Sequence, residues 1–391
     1  MRNNERIIET DWSLIDRLEA YLEGSLRSSF FLPIKAKILS LFGKPTANAS
    51  DMPFVELYIY NAEEIKRRKR KPYAYANVVE ALKSGRITYW DGRFKGKFSA
   101  EISKEFQAMG AVWSGTGFKL SEEAMPPRIR NLIQKLRQST VEKLRVLEEH
   151  LKDMNGSQIA ESFVGEGIFE KGLKKIDQKL QEVLKAISVN PDFSDNMRKT
   201  LSREWTQNLR FKIRGWADEE IEEMRNFVKG LIFQGTRYSE GGRAGSLEAE
   251  IYDRYKTKIL ATIDPRVQLS RMSDNLEDKV QNKAKFLARN ETRLMMTTYQ
   301  YSKVRENGSD FFQWRCVIGS PNHPVRPSHK KLDRKIFRWD DPPIDEQTNQ
   351  RVLPGQAYNC RCTAGVYRNI EIAREENGNY KKYADGSYVL A

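Results

Sequence analysis

Cysteine and histidine are scarce in this chain of 391 residues, which has three of each. So few thiols, and an odd number of them, exclude the disulfide framework of a small secreted domain and fit synthesis in a reducing cytoplasm. Long apolar runs are missing as well. None approaches the ~20 residues that a bilayer-spanning helix requires, so no membrane segment is expected. Met1 to Arg6 leads into a charged, amphipathic stretch where a secretory signal would carry an apolar core. The longest apolar patch near the start, Phe30-Phe31-Leu32-Pro33-Ile34, is short and broken by proline, and reads as a packing or docking element. No tandem repeat is present.

Charge is what the chain has in quantity. Its 67 Lys and Arg outnumber 53 Asp and Glu, a formal excess of +14. An excess of that size calls for a polyanionic neighbour, although dense mixed charge also serves simply to solvate long helices. The most concentrated stretch is the unbroken cationic run Lys66-Arg67-Arg68-Lys69-Arg70-Lys71, followed by Pro72, Tyr73 and Tyr75. Adjacent like charges repel one another and suit a dispersed partner such as a phosphate backbone, on whose bases Tyr73 could stack. A solvated loop is the plainer alternative.

The length allows two or three domains, at least one with a substantial core. Four consecutive segments follow from the patterning: a helical start (1–60), the basic run with a small α+β module (61–125), a helical region (126–235) and a C-terminal domain (236–391). Within the module, Asp91-Gly92 between Ile87-Thr88-Tyr89-Trp90 and Lys95-Gly96-Lys97-Phe98 predicts a hairpin. Ser99 should cap a short helix, and Ala111-Val112-Trp113 should add a third strand. Trp90, Phe94, Phe98, Trp113 and Phe118 read as its core. Helical spacing then predicts helices over 128–154, 169–187 (a heptad seam, Phe169 to Ile187), 195–214, 218–234, from Ser246 onward, and 274–306. The fold expected is mostly α and multidomain, with small α+β modules and long helices leading to a compact α+β tail.

Helical periodicity stops after Gly308, and the scarce residues gather beyond it. Cys316, Cys360 and Cys362, with His323 and His329, all fall between Trp314 and Tyr367. Cys316, His329, Cys360 and Cys362 could supply the four soft donors of a tetrahedral zinc site, with His323 competing for the imidazole position. Cys360-Arg361-Cys362 has one residue between its thiols, where zinc fingers have two to four. The alternatives are three buried thiols acting as small hydrophobes, or a catalytic thiol paired with His329.

Several stretches together resemble the phage Mu F-like minor head protein family. They are Phe286-Leu287-Ala288-Arg289-Asn290-Glu291-Thr292, Trp314, Arg326-Pro327-Ser328-His329-Lys330-Lys331-Leu332-Asp333, Pro342-Pro343, Pro354-Gly355 and Asn359-Cys360-Arg361-Cys362. Asn290 stands where the family often has Thr, and Arg334 where it often has Gly. The resemblance implies a structural component of the virion of a tailed phage rather than an enzyme. Such a protein is made in the bacterial host cytoplasm and lies in the capsid interior near the portal. Its partners would be the portal protein, a major capsid or scaffold protein and double-stranded DNA, and in some relatives it is delivered with the genome. Arg289 and Glu291 are expected to anchor the long helix to the Trp314 strand, while Asp333 and Asn359 fix loops. About 29 residues follow Cys362, too few for an independent catalytic domain. The rivals are a zinc-dependent hydrolase or nuclease, with Asp333, Asp340 or Asp341 as base, and a nucleic-acid-binding protein with no virion role.

Overall fold

A computed structural model describes residues 7–8, 12–43, 76–89, 93–96, 98–113, 117–120, 124–186, 195–240, 265–316, 325–347, 349–357 and 360–391. The basic run Lys66 to Lys71, Tyr73, Trp90, the Asp91-Gly92 turn, the segment from Ser246, His323 and Asn359 lie outside these residues. The described helices are α1 (Trp12–Leu26), α2 (Leu32–Phe42), α3 (Ala76–Lys83), α4 (Ala100–Ala108), α5 (Pro127–Asp153), α6 (Gly156–Glu161), α7 (Glu166–Ala186), α8 (Asp195–Glu240), α9 (Pro265–Phe286), α10 (Thr292–Glu306) and α11 (Pro327–Leu332). The strands are β1 (Ile7–Ile8), β2 (Ile87–Tyr89), β3 (Arg93–Gly96), β4 (Val112–Trp113), β5 (Phe118–Lys119), β6 (Phe311–Arg315), β7 (Ile336–Arg338), β8 (Ile344–Asp345), β9 (Gln350–Arg351) and β10 (Thr363–Tyr367). The chain is mostly helical with small antiparallel sheets.

Contacts divide it into two compact units, each assembled from segments far apart in sequence. One comprises residues 1–27, 159–213 and 279–391, the other 28–158 and 214–278. In the second unit the expected hairpin pairs Ile87 with Gly96 and Tyr89 with Phe94. Ser99 caps α4 by accepting a hydrogen bond from the Ile102 N–H. The third strand departs from expectation: β4 pairs with β5, and β5 with β3, so Phe118–Lys119 is inserted and the order is β2-β3-β5-β4. Phe94, Phe98, Phe106 and Phe118 fill the core with ring centroids 4.4–5.5 Å apart, while Trp113 stays 39% exposed at the edge. Arg137 of α5 lies 4.5 Å over the Tyr89 ring.

Two expected helices, 195–214 and 218–234, are one 46-residue helix, α8. Asp218 imitates an N-cap in the sequence, but its carboxylate accepts a 2.7 Å hydrogen bond from the Gly156 N–H at the start of α6. Conversely, the helix expected over 274–306 begins earlier, at Pro265, and is interrupted by a π-helical turn, Leu287–Glu291, between α9 and α10. A similar turn, Arg27–Phe31, joins α1 to α2 and buries Phe30 and Phe31, so the early apolar patch is a packing element. Helix α7 carries the heptad seam: Phe169, Leu173, Ile176, Leu180 and Val183 are all buried.

The first unit holds the C-terminal sheet, order β1-β10-β6-β7, antiparallel throughout. Its edge strand β1 comes from the far N-terminal end of the sequence, pairing Ile7 with Gly365. Phe311, Phe312 and Trp314 of β6 are completely buried, each contributing about 1.5–3 kcal/mol relative to exposure. The residues after β10 fold back on the sheet through a bridge from Tyr388 to Ile336 of β7, and pair with one another through Leu390 and Ile372.

Candidate metal centre

The antiparallel register of β6 and β10 sets Thr363 opposite Arg315. One step beyond the ladder, Cys362 therefore faces Cys316, and their Sγ atoms are 3.6 Å apart. Helix α11 starts on Pro327, a favoured first helical residue, and carries His329, which is 1% exposed and edge-on to the Trp314 ring at 5.2 Å. Cys360 sits in a turn closed by its own N–H to the Ala357 carbonyl. His329 Nδ1 is 3.4 Å from Cys360 Sγ and 3.8 Å from Cys362 Sγ. The donor atoms of His329, Cys360 and Cys362 all lie within 4.8 Å of one another, and all three residues are buried. Cys316, half-buried, flanks them. Its thiol donates to the His329 carbonyl at 3.2 Å, and its backbone N–H donates to Asp333 Oδ1 at 2.7 Å.

Behind the imidazole, His329 Nε2 stands 3.5 Å from the buried Asp345 carboxylate of β8. The other wall is one face of α10, where Arg293, Thr297 and Tyr301 recur at a spacing of four. Tyr301 donates to the Pro354 carbonyl at 2.6 Å. Gly355 follows with φ +86°, a conformation suited to glycine, and a Cβ there would stand 3.1 Å from Thr297 Cγ2 and 3.4 Å from both Arg293 Nε and the Cys362 carbonyl. Hydrogen bonding from Cys362, reinforced by His329, holds the Cys360 thiol well below its ordinary pKa. Cys316 is also lowered, chiefly by the hydrogen bond with Cys362. Cys362, which gives up those hydrogen bonds, is pushed up. Burial raises Tyr301 and lowers Arg293, while the cysteine sulfurs favour the Arg293 charge.

Residues 238–365 match the family described as phage Mu protein F like protein. Over this stretch the chain is similar to Mu F-like proteins. No curated protein and no solved structure matches the chain. The matched region contains all four clustered donors, and the match relates the chain to phage proteins.

The Mu F-like region places the other singled-out residues apart from the thiol cluster or at its rim. Arg289 pairs with Glu19 of α1 at 3.2 Å and Glu291 with Lys212 of α8 at 2.7 Å. Both charges thus tie the π-turn to neighbouring helices, where the sequence suggested the Trp314 strand. Trp314 packs on His329, and Asp333 holds the Cys316 backbone. Sequence reasoning missed Arg293 and Asp345. Arg293 lies just past the Arg-Asn-Glu-Thr stretch, four residues after Arg289, and helical spacing could have brought it in. Asp345 reaches His329 only through tertiary folding.

Chemically, the cluster is a set of donors with little access. A catalytic thiol must meet its substrate, whereas Cys360 and Cys362 are 5% and 3% exposed. The acidic residues considered as a base already have partners: Asp333 accepts from the Cys316 backbone N–H at the rim of the cluster, Asp340 pairs with Arg338, and Asp341 with Arg351. Among the described residues no helix is long and apolar enough to cross a membrane.

Proposed function

We propose that this protein is a minor head protein of a tailed bacteriophage, with a structural role in head morphogenesis or completion. The observation that carries the reading is the Mu F-like match over residues 238–365. The buried thiol and imidazole cluster supports it, because closed side-chain knots stabilise a fold whereas catalysis needs an accessible centre. In this reading the protein lies inside the capsid near the portal and contacts portal, capsid or scaffold protein and the packaged DNA. The formal excess of +14 suits a neighbour made of phosphate. Mass spectrometry of purified virions tests the proposal. The chain should be present at a small fraction of the major capsid protein and remain after nuclease and salt washes; its absence from intact particles would refute the role.

A further inference from the structure

Going beyond the head-protein reading, we infer that Cys316, His329, Cys360 and Cys362 form a structural zinc site with three thiolates and one imidazole. Zinc at about 2.3 Å from sulfur and about 2.0–2.1 Å from nitrogen, in a tetrahedron, separates two sulfurs by about 3.8 Å and a sulfur from the nitrogen by about 3.5 Å. The cluster has 3.6 Å between the Cys316 and Cys362 sulfurs, and 3.4 and 3.8 Å from His329 Nδ1 to Cys360 and Cys362. Three edges of the required polyhedron are therefore already near their metal-bound lengths. Cys316 Sγ lies outside the three donors that are within 4.8 Å of one another, and it would complete the set by turning from the His329 carbonyl toward the shared centre.

The surroundings suit a metal in two further ways. Ligation through Nδ1 would leave the proton on His329 Nε2, and the buried Asp345 carboxylate 3.5 Å away is the kind of partner that orients a metal-bound imidazole. Binding releases three thiol protons to solvent, so a divalent ion with three thiolates and a neutral imidazole carries one negative charge. The buried Arg293 guanidinium, which shares the Gly355 contact with the Cys362 carbonyl, offsets it. The four ligands come from the end of β6, from α11, from the turn after Gly355 and from the start of β10. One ion would thus pin together the segments that complete the Mu F-like region. With four protein donors no coordination position is left for substrate, so the ion is structural.

The test uses the full chain, purified reduced and without a histidine tag from zinc-supplemented cells. Elemental analysis should give one zinc per chain. Replacement by Co²⁺ should give the intense visible bands of a tetrahedral ion with sulfur-to-cobalt charge transfer of three-thiolate strength. Cys360→Ser and Cys362→Ser should lose the metal, His323→Ala should keep it, and Asp345→Asn should weaken zinc affinity about 10- to 100-fold. Because the serine variants could fail to fold, the wild-type chain is also stripped with chelator and a reversible thiol reagent. Its melting temperature should fall, stay low when reductant frees the thiols, and recover only when zinc is then added. A folded wild-type chain without metal, or metal retained in both serine variants, would overturn the site. A cobalt spectrum of only two thiolates, or loss of zinc in His323→Ala, would overturn this four-ligand set.

Discussion

Arg334 is one of the few described non-glycine residues with positive φ, at +64°. The turn forces it there: its N–H donates to the Trp314 carbonyl at 2.7 Å and its own carbonyl accepts from Gln313 Nε2 at 2.7 Å. An L-residue in this region costs about 1–2 kcal/mol, which glycine avoids. The resembling family often has glycine at this place, so the departure visible in sequence coincides with strained backbone. Arg334→Gly should raise stability by about 0.5–1 kcal/mol, after allowing for the greater freedom of glycine in the unfolded chain. Urea unfolding measures this, and a midpoint equal to or below that of the parent would sink the argument. At this scale the clustering of Cys316, His329, Cys360 and Cys362 was legible because the residue types are rare and their positions confined. Asp345 was not, since nothing in a run of Pro, Asp and Ile marks a carboxylate that ends up behind an imidazole sixteen positions earlier.

Helices α7, α8 and α10 meet at a buried polar knot that no periodicity announces. Asp177 of α7 accepts hydrogen bonds from Arg198 of α8 and Tyr299 of α10. Burial, followed by the hydrogen bond to Asp177, raises the Tyr299 pKa, so it stays a protonated donor at any ordinary pH. The side chains of Asp177 and Arg198 are 5% and 11% exposed. Removing one partner of such a pair leaves a buried charge uncompensated, so Arg198→Ala should cost about 3–5 kcal/mol. Replacing both members with apolar residues, Asp177→Leu with Arg198→Met, should cost less than the single change. Thermal or urea denaturation of the set decides it, and a loss under about 1 kcal/mol for Arg198→Ala would mean that the knot contributes little. Elements were legible where a single rule governs them. The hairpin around Asp91-Gly92, the Ser99 cap and the apolar seam of α7 follow from local chemistry alone. The breaks were not legible: Asp218 looks like a helix start, yet α8 runs through it while its carboxylate accepts from the Gly156 N–H. The π-turn Leu287–Glu291 was equally hidden, because one inserted residue shifts the apolar stripe without introducing any breaker.

At the scale of the molecule, neither unit is a continuous stretch of chain, and β1 shows how distant segments meet in one sheet. Two isoleucines near the N-terminal end add an edge strand to a sheet whose other members lie beyond residue 310. Pairing between such distant strands depends on tertiary contact, which composition and period cannot reveal. Net charge, by contrast, belongs to the whole sequence and is read directly. If the head-protein proposal holds and Lys66 to Lys71 contacts packaged DNA, each phosphate neutralised releases condensed counterion, and the logarithm of affinity falls by about 0.9 per contact for each decade of salt. Reversing charge at Arg67, Arg68 and Arg70 should therefore weaken binding to mixed-sequence duplex DNA and flatten the salt slope by about 2–3, with little dependence on sequence. A titration of labelled duplex across a range of salt concentrations supplies the slope. An unchanged slope would assign the run to ordinary solvated surface and leave the remaining excess of positive charge to account for any DNA contact.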